Sequence, residues 1–279
     1  MDIIKAIASE LNVRNNQVEA AVKLIDEGCT IPFISRYRKE ATGALNDEQL
    51  RNLDERLKYL RNLEDKKAQV IASIEEQGLL TEELRSRIEQ ADTMVAVEDL
   101  YRPYRPKRRT RATIAKEKGL EPLANIIMLQ MTGEPVIKTA AEYVSEEKDV
   151  KTPEEAVAGA KDIIAESISD NADYRTRIRE ITFKEGILTS TAKDAEAKTV
   201  YEMYYNFSEP AAKMAGHRIL AVNRGENEKI LTVKIEAPVD KILSYLEKQI
   251  IVRDNQYTTG IIKEAIEDSY ERLIAPSIE

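Results

Sequence analysis

The sequence is poor in the residues that carry most enzyme chemistry and in those that interrupt helices. It has one cysteine, Cys29, one histidine, His217, no tryptophan and three phenylalanines. A single thiol closes no internal disulfide and builds no thiolate zinc site, which excludes a disulfide-stapled scaffold and fits a reducing cytoplasm. A single imidazole would have to serve every Ser-His-Asp, Cys-His or two-histidine metal arrangement alone. Ten glycines and nine prolines in 279 residues make about 7%, against an average near 12%, which favours helices over turn-rich β architecture. No window approaches ~18 uninterrupted apolar residues, and the opening MDIIKAIASELN has neither a long apolar core nor a small-residue cleavage site. Neither a membrane span nor a signal peptide is expected. Positive charge is not in excess: 42 Lys and Arg against 50 Asp and Glu leave a net charge of −8, so contact with a polyanion has to come from a local patch.

The usual chemical motifs are missing as well. The sequence contains no GxxxxGK[ST], GxGxxG, HExxH or GxSxG, which closes the common routes to nucleotide, metalloprotease and hydrolase chemistry. Its carboxylates are as numerous as solvated helical faces with i,i+4 pairing require. His217, in AGHRILAV, reads as a packed or capping residue, and Cys29 beside Gly28 as a small hydrophobe at a helix end. We therefore expect no enzyme, no catalytic residue, no metal and no cofactor.

What is present is helical patterning. Ile3, Ile4, Ile7 and Leu11, then Val18, Ala21, Val22 and Ile25, recur at helical spacing and end at Gly28. Pro32 suits the first turn of a third short helix, and Gly43 the turn after it. Such a trio fits either a helix-turn-helix-like unit or an ordinary bundle. Asn46 with Gln49 reads as a capping box opening a row of Leu50, Leu53, Leu57, Leu60 and Leu63 that continues through Val70, Ile71 and Ile74 to Gly78. That predicts one helix of about 31 residues, roughly 46 Å long, a spine for others to pack on. Thr81 caps a helix through Ile88, and a short helix through Leu100 stops at Pro103. Pro122 starts another helix, and Gly133-Glu134-Pro135 punctuates. Thr152-Pro153-Glu154-Glu155 combines a hydroxyl cap, a proline at the first position and a reciprocal glutamate. The helix carrying Ile178 and Ile181 should end near Gly186. Helices are expected at 192–205 and toward Val222, with a turn at Ser208-Glu209-Pro210 between them. Lys229–Ile235 is the one good strand candidate, with Ile187–Ser190 as its partner. Helices over 239–251 and 260–274 follow, with a stop at Pro276.

The fold class is thus mainly α: an elongated helical assembly around a long central helix with a helix-turn-helix-like unit, plus at most a small β-hairpin. Three segments are expected. Residues 1–61 form the helix-turn-helix-like part and the start of the long helix, and 62–186 form a helical subdomain with a basic loop. Residues 187–279 are helical with a short strand or hairpin, packing back on 1–61.

That loop is the singular feature. Residues 101–111 read YRPYRPKRRTR, with Arg102, Arg105, Lys107, Arg108, Arg109 and Arg111, and no acidic residue lies between Asp99 and Glu117. By contrast, 142–166 holds eight acidic residues against three lysines and should repel nucleic acid. Pro103 and Pro106 deny the basic segment a regular helix, so its guanidinium forks can project to phosphate oxygens. Tyr101 and Tyr104 would offer stacking surfaces for unpaired bases. The alternative is that the cations pair with acidic helices of the same molecule and the tyrosines pack at helix ends. Six phosphate contacts would give a salt slope approaching −5 on duplex, at about −0.9 each.

Three stretches, IPFISRYRKEATGALNDEQLRNLDERLKYL at 31–60, ASIEEQGLLTEELRSRIEQADTMVAVEDLYRPYRPKRRTRATIAKEKGLEPLA at 72–124 and FSEPAAKMAGHRILAVNRGE at 207–226, resemble the N-terminal half of the bacterial Tex family. Those are RNA-binding transcription accessory proteins related to the core of a eukaryotic elongation factor. The resemblance implies a helical fold with a helix-turn-helix-like unit around a long central helix. It also implies a piece of a longer protein, whose further domains, ribonuclease-H-like, helix-hairpin-helix and a C-terminal oligonucleotide-binding barrel, would be its partners. In IPFISRYRKE, Arg36, Arg38 and Lys39 read either as facing nucleic acid or, preferably, as pairing with Glu40 and the spine over a core of Pro32, Phe33, Ile34 and Tyr37.

The expected function is a non-enzymatic, RNA- or DNA-binding module of a cytoplasmic transcription accessory protein. It would contact RNA or single-stranded DNA weakly through the basic loop, without any membrane role. A protein-interaction scaffold for transcription or translation machinery is the alternative.

Overall fold

A computed structural model describes residues 2–278, which form two compact units, one up to Tyr104 and one from Arg105. In the first, α1 (Ile3–Glu10), α2 (Asn15–Asp26), α3 (Ile31–Tyr37), α5 (Glu82–Gln90) and α6 (Met94–Tyr101) all pack on α4 (Asp47–Glu76). The spine is 30 residues long, about 45 Å at 1.5 Å per residue. It opens as expected: the Asn46 side chain accepts from the Gln49 amide at 2.8 Å, and the Gln49 side chain accepts from the Asn46 amide at 3.0 Å. Leu50, Leu53, Leu57, Leu60, Leu63, Val70 and Ile74 are buried along one stripe, each worth about 1.5–3 kcal/mol in area removed from water.

Lys67 fills the place in that stripe where the apolar repeat lapses. It is buried, and its ammonium donates to the Glu64 carboxylate at 2.8 Å and the Glu89 carbonyl at 2.9 Å. A buried charge with both partners in place keeps the packing continuous where an unpaired one would break it. Two bidentate pairs tie short helices to the spine, Arg56 to Glu10 at 2.6 and 2.7 Å and Arg61 to Asp26 at 2.7 and 2.9 Å.

In the second unit, α7 (Arg111–Glu117), α8 (Glu121–Leu129) and α9 (Val136–Ala140) pack against α10 (Pro153–Asp170). Then come α11 (Ala172–Glu185), β1 (Ile187–Ala192), β2 (Asn206–Pro210), α12 (Gly216–Asn227), β3 (Leu231–Glu236), α13 (Val239–Ile250) and α14 (Thr259–Asp268). A π-helical stretch, Ser269–Ile274, leads into α15 (Ala275–Ile278). Leu123 and Ile127 of α8, Ile164 and Ile168 of α10, Leu246 of α13, and Ile262 and Ile266 of α14 belong to one continuous core. Among the described residues, no helix is long and apolar enough to cross a membrane.

The mainly α class with a small β part is what the structure has, and several details differ. The β part is a three-stranded antiparallel sheet in the order β2-β1-β3, one strand more than a hairpin. β1 and β3 are the pair expected, Leu188 facing Ile235. The turn expected at Ser208-Glu209-Pro210 is instead the end of β2, which pairs with β1 from Asn206 to Pro210; a proline at the end of an edge strand costs no ladder bond. The helix expected over 192–205 is absent. Returning the chain from β1 to β2 needs a loop, held by the Ala192 amide on the Tyr205 carbonyl at 3.1 Å and by Tyr201, buried against Gly225. Seven-residue α7 is an addition to the sequence reading; Thr110 caps it at 3.0 Å. Pro276 does not end the last helix. It sits in the first turn of α15, where its missing N–H is tolerated, after a widened π turn. The Thr152 hydroxyl caps α10 at 3.2 Å as expected, but Glu155 reaches back to the Lys151 amide at 2.8 Å, one residue before the cap.

Candidate nucleic-acid interface

The basic segment begins on α6 and ends on α7, and the boundary between the two units falls inside it. On the first unit, Tyr101 is half-buried, its hydroxyl 2.9 Å from that of Ser73 and its ring 6.0 Å from the Lys66 ammonium. Its polar end and one approach to its face are thus occupied by α4. Arg102 is half-buried and partnered. Tyr104 is half-buried too, and its carbonyl accepts from Gln77 at 3.0 Å. The two tyrosines fasten the end of α6 to the spine.

From Arg105 onward the chain is irregular through Pro106, as the two prolines dictate, until Thr110 caps α7. Arg105 and Arg108 are exposed, with no hydrogen bond or ion pair among the described residues. Arg109 meets Glu117 at 2.9 Å with side chains 70% and 53% exposed, a pairing worth about 0–1 kcal/mol at such a surface. Lys107 behaves differently. Its ammonium is bound to the Asp170 carboxylate and lies 3.5 Å from Glu166. All three side chains are a quarter exposed or less, at 25%, 17% and 13% for Lys107, Glu166 and Asp170.

Arg111, at the first position of α7, is exposed, and its charge acts on both Asp162 and Asp268. Burial pushes the Asp162 carboxyl above its ordinary range, opposed by Arg272 and Arg111. The Asp268 carboxyl is pulled below its range chiefly by the hydrogen bonds of Arg272. Arg272 also reaches Asp162 at 3.2 Å.

Of the eight residues singled out, the structure therefore turns Arg105, Arg108 and Arg109 to solvent and commits Lys107 to α10. Asp162, Glu166 and Asp170 join the site unannounced. They recur every four positions and so share one side of α10, a legible signal in a region that composition alone marks only as repulsive. His217 is exposed on a separate open groove of about 810 Å³ lined by Val200, Tyr204, Leu220 and Arg224. Cys29 is half-buried. Among the described residues, no three His, Cys, Asp or Glu side chains gather as metal ligands would.

The chain matches two family models, the N-terminal domain of Tex-like proteins over residues 1–75 and the Tex central region over 133–268. It is 50% identical over 276 residues to an uncharacterised Bacillus subtilis protein, YdcI, covering 98% of this chain and 38% of that one. It is 41% identical over 267 residues to the transcriptional accessory protein Tex of Neisseria gonorrhoeae, covering 93% and 35%. A human protein named S1 RNA-binding domain-containing protein 1 is 29% identical over 244 residues, covering 84% and 24%. The chain thus spans under two-fifths of the length of these relatives.

Proposed function

Because the chain belongs to the Tex family, we propose that it is a nucleic-acid-associated module of a cytoplasmic transcription accessory protein, acting by binding and without catalysis. The observation that carries this reading is the pair of unpartnered arginines, Arg105 and Arg108, on a proline-stiffened backbone beside weakly paired Arg109. Guanidinium forks so placed can donate to phosphate oxygens bidentately and give up little in leaving their present surroundings. They position a strand without reading its sequence. The names of the gonococcal and human relatives agree with such a role. The bacterial relatives are more than twice as long as the span matched here, and in a protein of that length further domains would share the work. The tyrosines contribute less than their sequence suggests, since Tyr101 is engaged by α4.

Three contacts on a single strand, at about −0.7 each, give a salt slope near −2. Fluorescence anisotropy with labelled single-stranded RNA over a salt series tests this. The triple variant Arg105→Ala/Arg108→Ala/Arg109→Ala should lose most of the binding and flatten the slope. Unchanged binding would remove the segment from the interface. Incubation of the same RNA with magnesium or manganese should leave it uncut.

A second reading, a scaffold for transcription or translation machinery, is favoured by exposed Val200 and Leu220, which line one open groove at α12 and are 86% and 72% exposed. Retention of purified RNA polymerase by a protein that binds no oligonucleotide would prefer it.

A further inference from the structure

Phosphate is not the first anion the basic segment meets. One side of α10 carries Asp162, Glu166 and Asp170, and each is matched by a cation: Arg272 on Asp162, Lys107 on the other two, with the charge of Arg111 acting on Asp162 and Asp268. Lys161, on the same helix, is drawn off by Glu264 at 2.7 Å. The segment is therefore divided: Arg105 and Arg108 are exposed without partners among the described residues, Lys107 is bound to this row, and Arg111 lines a groove together with Asp162.

We propose that the carboxylate row of α10 is an internal competitor for nucleic-acid phosphate, holding the basic segment down until a polyanion displaces it. This rests on the nucleic-acid reading above. Arg105, Arg108 and Arg109 make the first contact, and Lys107 then leaves Glu166 and Asp170 for phosphate. Magnitudes decide the direction of exchange. Carboxylates four residues apart on a helix present one charge per about 6 Å of axis, whereas each strand of duplex presents one per about 3.4 Å and releases condensed counterions when bound. The denser polyanion wins at low salt. The row, tethered in the same chain at an effective concentration in the mM range, wins as salt rises. The device filters out brief or sparsely charged contacts and leaves Lys107 neutralised when no strand is present.

The alternative role for these carboxylates is that of an anchor that shapes the segment for binding, and the two roles predict opposite signs. In the competitor case, Glu166→Gln/Asp170→Asn binds labelled single-stranded RNA more tightly than wild type. As salt rises, wild type falls back to three phosphate contacts and a slope near −2 when Lys107 returns to the row, whereas the variant keeps four and a slope near −3, a difference of about fivefold per tenfold change of salt. Amides 107–110 donate no hydrogen bond among the described residues, so they should exchange freely in both proteins and slow when RNA is added. Equal or weaker binding by the variant, while wild type binds, overturns the competition and leaves the proposed interface standing. Binding by neither protein overturns both. Thermal unfolding checks that the variant is folded, and single Glu166→Gln, at the longer 3.5 Å contact, repeats the test with less disturbance of the helix end.

Discussion

A carboxylate held by a guanidinium fork is the smallest unit on which this fold depends for its behaviour in acid. Asp26 accepts from both terminal nitrogens of Arg61 and is kept below its ordinary value of 3.8 mainly by those hydrogen bonds. A lowered carboxyl supplies stability above its unfolded value and loses it as pH falls through the folded one. Wild type should therefore lose thermal stability more steeply than Asp26→Asn on acidification below about pH 4, and the two curves should run parallel above it. Parallel curves throughout would show that the pair does not anchor α2. Gly186 makes a second demand at this scale. A Cβ there would run into the Thr182 carbonyl oxygen, which already accepts from the Gly186 amide at 2.8 Å. Because the obstacle is backbone, Gly186→Ala should cost about 1–3 kcal/mol in urea unfolding, the usual range for overpacking.

At the level of elements, the sequence makes legible whatever is decided locally. The spine announces itself through its leucine spacing and the Asn46–Gln49 box, and α10 through Thr152. Thr152→Ala should cost about 1 kcal/mol, read as a lowered melting temperature, since it orphans the Glu155 amide. Elements decided by distant partners stay hidden. Residues 192–205 carry enough alanine and glutamate to read as helix, but β1 holds the returning chain through Ser190, whose hydroxyl donates to the Tyr204 carbonyl. β2 resembles a turn because its strand character comes from pairing with β1 and not from its own composition. The site divides in the same way. Six cations in eleven positions stand out at once. Which of them remain available depends on a helix face 63 residues away, where Asp170 receives Lys107.

For the whole molecule, two cores separated after Tyr104 imply that damage stays local. Leu53 is fully buried on the spine, and Leu53→Ala should destabilise the first unit by about 2–5 kcal/mol. Native-state hydrogen exchange should show the loss on α4 and leave protection on α10 unchanged. A loss on both would mean the units unfold as one.

The open sheet of the second unit carries a consequence for solubility. Two outer strands present bare amide rows, the usual seed for fibre growth. Here β2 is five residues long and finishes in Pro210, which has no N–H to offer, while β3 exposes Lys234. A second molecule adding its own strand would meet a missing donor on one flank and a lysine ammonium to desolvate on the other, so crowding this protein should not polymerise it through its sheet.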